Sequence, residues 1–337
     1  MDYKELRAIA KEKFAGSCRV CPVCNGVACS GEVPGMGGVG SGAGFKNSFE
    51  ALAGYRLNLR TVHAVSQPTL NCQILGLDLA MPILGAPIGG ISINMKGALT
   101  EGEYTKAIVT GCRQAGTIGM TGDGPKAEWY MDGINAITAE AGYGIPIIKP
   151  RQTDKIIELA NKAAEAGAKA FGIDIDAAAL VNMTNAGQPV GPKTQADLEY
   201  IKKNTTIPFI VKGIMMPDEA ALCAAAGVDA IVVSNHGGRA LDATPGTAEV
   251  LPHIAELVKG KITILADGGI RSGVDVLKML ALGADAVLIG RPLAIGAVGG
   301  GAEGVALVLN KLAGELRTAM LLTGTADVAA VSEDVIW

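Results

Sequence analysis

From about residue 80 onward the chain repeats one rhythm: a short, nearly continuous apolar run, then an amphipathic stretch of helical period. The runs are Pro82–Ala86, Thr117–Thr121, Pro146–Lys149, Ala170–Ile175, Pro208–Lys212, Ala230–Ser234, Ile262–Ala266 and Ala286–Ile289. Unbroken apolarity, rather than alternation, is what a strand buried on both faces requires, and that describes a parallel sheet covered by helices. The stretches between them carry helix signals. After the third run, Thr153 is placed to cap a helix with an apolar stripe of Ile156, Ile157, Leu159, Ala160 and Ala163, and Gly167 stops it. Before the eighth, Ser272 and Asp275 form a capping-box pattern, Val274, Leu277 and Leu280 are expected to face inward, and Gly283 ends the helix. Eight strand–helix units over about 210 residues predict a closed (β/α)8 TIM barrel, since an open doubly wound sheet more often stops at five to seven strands. No G-x-G-x-x-G follows a strand, so a Rossmann dinucleotide domain has no support.

The first 79 residues do not share this rhythm. They read as an N-terminal extension: a short helix, a cysteine-rich segment, and a stretch at 31–44 (GEVPGMGGVGSGAG) too rich in glycine for helix or strand. Residues 80–337 are the expected barrel.

With 337 residues, 49% of them hydrophobic, core size is not limiting. A net charge of −4, no basic run and 4% aromatic residues leave no electrostatic footprint for nucleic acid. The longest uncharged apolar stretch, Leu79 to Met95, is cut by Pro82, Gly85, Pro87 and Gly89–Gly90 and falls short of the ~20 residues of a membrane span. The opening MDYKELRAIAKEK lacks the apolar centre of a secretory signal, so the expected address is the cytoplasm. Of seven cysteines, Cys72, Cys112 and Cys223 sit in apolar surroundings as small hydrophobes. Cys18, Cys21, Cys24 and Cys29 crowd together in a C-x2-C-x2-C-x4-C pattern, which in a reducing compartment points to metal or redox chemistry.

Function in a barrel sits where strands end. After the sixth run comes Ser234-Asn235-His236-Gly237-Gly238-Arg239: a histidine able to act as general base, two glycines, and an arginine able to grip a carboxylate. His63 and His253 have no such company and read as structural. After the seventh and eighth runs, Asp267-Gly268-Gly269-Ile270-Arg271 and Gly290-Arg291-Pro292 open onto helix N-termini with an arginine each, at the two turns where this fold recurrently holds phosphate. Lys212 ends the fifth run. It is either a snorkelling surface charge or a cation stabilising negative charge on an electron-accepting ring.

From about Ile207 to Ala330, the segments IVKGI, VSNHGGRALD and DGGIRSGVDVLKMLALGADAVLIGRP resemble the FMN-dependent α-hydroxy acid oxidase and dehydrogenase family, which includes glycolate oxidase, lactate oxidase and flavocytochrome lactate dehydrogenases. The resemblance implies FMN in the barrel mouth. Lys212 would lie near the N1/O2 edge of its ring, Ser234 would contact the flavin, Asp267 the ribityl chain, and Gly269, Arg271, Gly290 and Arg291 the phosphate. The turn Ala86-Pro87-Ile88 would pack against the ring, with Lys149 also at the cofactor. His236 would be the base, Arg239 would bind the substrate carboxylate, and Asp174 would be the carboxylate beside the histidine. The function implied is oxidation of a small 2-hydroxy acid to a 2-oxo acid, with an unidentified electron acceptor, in a homo-oligomer such as a tetramer.

The substrate side departs from the family pattern. Gly122-Asp123-Gly124 stands where serine and an aromatic are expected, and Lys149 and Arg151 stand in place of a glutamine and a tyrosine. A second arginine beyond the fourth run is missing. Glycine for an aromatic would enlarge the pocket or leave room for another group, and Lys149 and Arg151, the latter toward substrate, would restore the missing cationic charge or serve a differently shaped anion. These departures keep an alternative open, an FMN-barrel isomerase or reductase resembling type II isopentenyl diphosphate isomerases. For Cys18, Cys21, Cys24 and Cys29, the first three spacings match ferredoxin-type runs, so a [4Fe–4S] cluster ranks first, ahead of zinc, redox dithiols and inert thiols.

Overall fold

The computed structural model describes residues 1–337. A two-stranded antiparallel hairpin, β1 (Cys72–Ile74) and β2 (Leu77–Leu79), precedes eight parallel strands: β3 (Ile83–Gly85), β4 (Met120–Thr121), β5 (Ile145–Ile148), β6 (Phe171–Asp174), β7 (Phe209–Ile214), β8 (Ala230–Val233), β9 (Thr263–Ala266) and β10 (Ala286–Ile289). Their order is β3-β10-β9-β8-β7-β6-β5-β4, and a parallel bridge between Gly85 and Gly119 joins the two ends, so the sheet is a nearly closed (β/α)8 barrel. All eight predicted runs are strands. They are legible because nearly every strand residue is buried, leaving no position where a polar side chain could reach water.

The helices are α1 (Tyr3–Lys13), α2 (Ala43–Gly54), α3 (Ile91–Asn94), α4 (Glu101–Gln114), α5 (Ala127–Ala139), α6 (Thr153–Glu165), α7 (Val181–Asn185), α8 (Gln195–Lys203), α9 (Pro217–Ala225), α10 (Thr247–Val258), α11 (Gly273–Ala281) and α12 (Arg291–Thr323). Ser272 caps α11 in a full capping box with Asp275, as its spacing predicts. Two local expectations fail. Thr153 is the first residue of α6 rather than its cap, its hydroxyl donating instead to Asp197, and Val274 is 38% exposed while Leu277 and Leu280 are buried. The buried stripe of α11 runs through Gly273, Val276, Leu277 and Leu280, and Val274 lies to one side of it.

Residues 1–79 are not a separate core. Leu6, Ala10, Phe14, Leu52 and Leu70 belong to the same cluster as the helices around the barrel, each burial contributing about 1.5–3 kcal/mol for the larger side chains. Ile74 and Leu79 of the hairpin join Leu84, Met120, Ile145, Ala170, Ala230 and Ala286 inside the barrel, sealing its base at the N-terminal ends of the strands. The helix α12 is long and apolar enough by composition to cross a membrane, but it breaks at Gly300–Gly301 and is largely buried against α1, α4 and α11.

Candidate active site

The open C-terminal ends of the strands surround a cavity of about 580 Å³, within the range of small-molecule and cofactor sites. Every strand of the barrel contributes. Ala86, Pro87 and Ile88 follow β3, Gly122 to Pro125 follow β4, Lys149 follows β5, Asp174 and Asp176 come from the end of β6, Lys212 from β7, His236, Gly237 and Arg239 from beyond β8, Asp267 to Arg271 from beyond β9, and Gly290 and Arg291 from beyond β10. The predicted site residues therefore converge, with three exceptions: Ser234, Arg151 and the four clustered cysteines do not line this cavity.

His236 is held from both sides. Its backbone is left-handed (φ 61°), a strained conformation for a residue with a Cβ, and its N–H donates to Ser234 Oγ at 3.1 Å. Ser234, fully buried, thus braces the histidine turn from behind the cavity wall. The ring nitrogen Nδ1 lies 2.7 Å from Asp176 Oδ1 and 3.5 Å from Asp174 Oδ1. With Nδ1 occupied, Nε2 has no protein partner, the arrangement of a base oriented by a carboxylate.

Asp176 is the residue that sequence reasoning missed: Asp174 lies beside the histidine as expected, but Asp176 makes the closer contact to Nδ1. The carboxylate of Asp174 accepts from Lys149 Nζ at 2.7 Å and Lys212 Nζ at 3.1 Å. Burial alone would raise its pKa, but His236, Lys149 and Lys212 together hold it well below the usual carboxylate range. Burial likewise works against a charged Lys212, yet Asp174, Asp176 and Asp267 raise it above an ordinary lysine. Lys212 is 3% exposed, which settles its two readings against the surface one. A bulge in β7 at Gly213 (φ 107°) makes this possible: a Cβ there would fall within 2.7 Å of Asp176, so only glycine lets the second carboxylate pass under the strand. The signal available in the sequence was the spacing. Asp174 closes the strand and Asp176 lies two residues on, in the 3-10 turn Ile175–Ala177 that brings its carboxylate back to the histidine.

Asp267 is buried, its Oδ1 has no partner within the protein, and burial raises its pKa against the opposing influence of Lys212 and Ser234. Elsewhere in the same cavity Arg291, Arg271 and Arg239 converge. Arg291 donates to the carbonyls of Met36, Gly37 and Gly237 and stacks on Phe45, its guanidinium carbon 3.6 Å from the ring centroid. Arg271 donates to the carbonyls of Cys24 and Ile270 and lies over the same ring. Burial, then repulsion from Arg271 and Arg239, pulls the Arg291 pKa down to about 9. Gly290 begins α12 with no side chain satisfying its first N–H groups. A buried cluster of guanidinium groups beside an uncapped helix N-terminus is a site built for an anion.

Arg239 donates to Gly35 O, Gly37 O and Asn94 Oδ1, which commits three of its five N–H groups and leaves two for a ligand. Arg151 does not face substrate. It is 4% exposed, forms a bidentate ion pair with Asp123, and donates further to Gly124 O and Gln188 Oε1. Its charge is neutralised inside the protein, because Asp123, itself 2% exposed, needs it more than the cavity does. At Gly124 the second of the two expectations holds, since the glycine leaves room for another group. The Trp129 ring packs where a side chain would go, a Cβ at 124 falling 2.3 Å from its Cε3.

Cys18, Cys21, Cys24 and Cys29 are free thiols around one small neighbouring cavity of about 30 Å³, and Met36 and Arg291 line both cavities. Burial raises the thiols of Cys72, Cys112 and Cys223 to about 12, in keeping with inert core positions.

Known proteins match this geometry. The chain is similar to 2-hydroxyacid oxidase of Dictyostelium discoideum, 51% identical over 144 residues, covering 43% of this chain and 37% of that protein. It is also 51% identical over 140 residues to L-lactate dehydrogenase of Xanthomonas campestris pv. campestris, covering 42% of this chain and 36% of the relative. These alignments thus span little more than a third of the relatives' lengths. Over nearly the whole chain, the fold is similar to crystal structures of mandelate oxidase (TM-score 0.81, 26% identity, 99% of this chain and 97% of that one) and of mandelate oxidase with benzoyl-formic acid (TM-score 0.80, 27% identity, the same coverage). The family model for FMN-dependent dehydrogenases matches residues 35–190 and 182–337, and on that span the chain belongs to the FMN-dependent dehydrogenase family.

Proposed function

We propose that the protein oxidises a small 2-hydroxy acid to the 2-oxo acid with FMN, using His236 as base. The observation that carries this reading is the grouping in one cavity of an oriented imidazole, a carboxylate-binding arginine and an anion site at the turns after β9 and β10. The residues fit FMN. The converging Arg271 and Arg291, with the N–H groups opening α12, suit its phosphate, and the orphaned Asp267 Oδ1 suits a ribityl hydroxyl. Lys212, Lys149 and the turn Ala86-Pro87-Ile88 would border its ring. When bound, FMN supplies an acceptor for the two electrons leaving the substrate.

His236 takes the substrate proton on Nε2, and Asp176 stabilises the resulting imidazolium from Nδ1. Arg239 holds the carboxylate with its two uncommitted N–H groups and fixes which face of the α-carbon is presented. The remaining wall, with Ile93, Trp129, Leu180 and Met183, is apolar and suits a hydrocarbon side chain on the acid. The relatives named above are oxidases and dehydrogenases, which disfavours the isomerase alternative. A [4Fe–4S] cluster on the four N-terminal cysteines is the finer part of this cofactor reading.

The test is anaerobic flavin bleaching by a panel of 2-hydroxy acids. The variant His236→Ala should keep its FMN and lose about 10²–10⁴ in reduction rate. A variant that bleaches at the parent rate removes His236 from the chemistry.

A further inference from the structure

We propose that Cys18, Cys21, Cys24 and Cys29 ligate a [4Fe–4S] cluster, and that this cluster is the electron outlet of the flavin cavity across a wall made by Met36 and Arg291. The ligand half stands on the cysteine segment itself, and the outlet half rests on the flavin reading above. All four cysteines face one enclosed space, none is in a disulfide, and no three of their sulfurs come within 4.8 Å of one another. The first three spacings match ferredoxin-type runs, whereas a four-cysteine zinc site usually comes as two separated pairs, so the segment is a better ligand set for a cubane than for one zinc ion.

The segment is also held in shape by the barrel. Arg7 Nη2 donates to the carbonyls of Val20 and Cys21 at 3.0 and 2.7 Å, tying the loop to α1. Arg271 Nε donates to Cys24 O at 2.9 Å, tying it to the anion turn after β9. Val20 has a left-handed backbone (φ 47°), and its N–H points at Cys18 Sγ from 3.4 Å, the kind of bond that orients and tunes a ligating sulfur. Arg291 lines both cavities and Arg271 ties the cysteine loop to the larger one, so the two guanidinium groups would lie between a phosphate on one side and a thiolate cluster on the other. Away from that wall the loop reaches solvent, where Val23 and Val27 are 57% and 60% exposed.

The consequence is a dehydrogenase for a one-electron carrier. Each hydroxy acid gives up two electrons and two protons; one proton goes to His236 and both finally reach solvent. The two electrons leave singly through the cluster, reducing two equivalents of an external one-electron carrier, which closes the balance.

The experiment uses the full chain, purified without air and reconstituted with ferrous iron and sulfide, with iron, acid-labile sulfide, zinc and released FMN counted on the same sample. The expected result is about four iron and four sulfide per chain and a reduced-cluster EPR signal after dithionite. Cys21→Ser combined with Cys24→Ser should lose iron and signal while retaining FMN, which also reports that the variant is folded. Zinc without sulfide, or thiols that stay metal-free, overturns the ligand half; FMN present in that same sample leaves the flavin reading standing. Iron and sulfide present without FMN overturns the outlet half together with the flavin reading. In the doubly loaded protein, L-lactate or mandelate that bleaches the flavin anaerobically should also produce the EPR signal, and bleaching without it overturns the outlet half alone.

Discussion

Replacing Asp176 with asparagine separates the two carboxylates beside His236. The substitution keeps the shape of the side chain and removes its charge, so the 2.7 Å contact to Nδ1 becomes one between neutral partners when the ring is neutral and loses its charge assistance when the ring is protonated. A hydrogen bond to a charged group contributes about 1.5–3 kcal/mol, and the imidazolium exists only after the proton has moved, so the loss falls on the barrier rather than on substrate binding. That predicts a fall of about 10- to 150-fold in flavin reduction rate, with substrate Kd nearly unchanged. Asp174 compensates only in part, because at 3.5 Å it is beyond good hydrogen-bond range and its oxygens already accept from Lys149 and Lys212. Anaerobic stopped-flow reduction over a substrate series gives rate and Kd separately. A D176N variant within about twofold of the parent rate, or one whose whole defect is in Kd, would refute the assignment of Asp176 to the imidazolium.

Arg151→Met should leave Asp123 buried without its counter-charge, at a cost of about 3–5 kcal/mol. With an unfolding entropy of about 2.1 cal/mol/K per residue this is a drop of roughly 4–7 °C in Tm, and it should be partly restored by adding Asp123→Leu; a selective rise in KM at unchanged Tm would instead return Arg151 to the substrate. The third prediction concerns pH. Arg291 titrates near 9 in the ligand-free protein, its charged form grips phosphate, and bound phosphate raises its pKa again, so FMN binding takes up a proton above that point. FMN affinity should be flat between about pH 7 and 8 and weaken toward tenfold per unit above about 9, and equilibrium dialysis showing a flat profile to about pH 10 would contradict it.

The barrel was legible from the chain because its physics leaves little choice at each position. A strand such as Ala230–Val233, fully buried on both faces, admits only apolar residues, and the turn that follows must therefore hold whatever chemistry is present. Positions read by local pattern, such as His236 and the two arginine-bearing turns, converged for that reason. Partnerships over long separations were not legible. Nothing in the sequence signals that Phe45 stacks beneath Arg291, that Asn94 braces Arg239, or that Gly35 to Gly37 supply the carbonyls on which both arginines rest. Each joins the extension or an early loop to the far end of the barrel, and periodicity carries no information about such pairs.

The departures at the second and third turns are best understood as one change rather than two. Asp123 accepts from Arg151, from its neighbour Gly124 N–H and from Lys149 N–H, so the turn after β4 and the turn after β5 are knit around a single carboxylate. An arginine alone at 151 would be an extra cation near the cavity, and an aspartate alone at 123 an uncompensated buried charge. Together they cancel and become scaffold. The same reasoning applies one layer in, where Lys149 Nζ is spent on Asp174. Of the cations that the sequence offers to a substrate carboxylate, Arg151 lies outside the cavity and Lys149 is paired with Asp174, whereas Arg239 has no carboxylate partner. On the proposed reading the cavity would recognise its acid chiefly through the Arg239 guanidinium and an apolar wall, and discrimination between acids would fall to the hydrocarbon side chain facing Trp129 and Ile93.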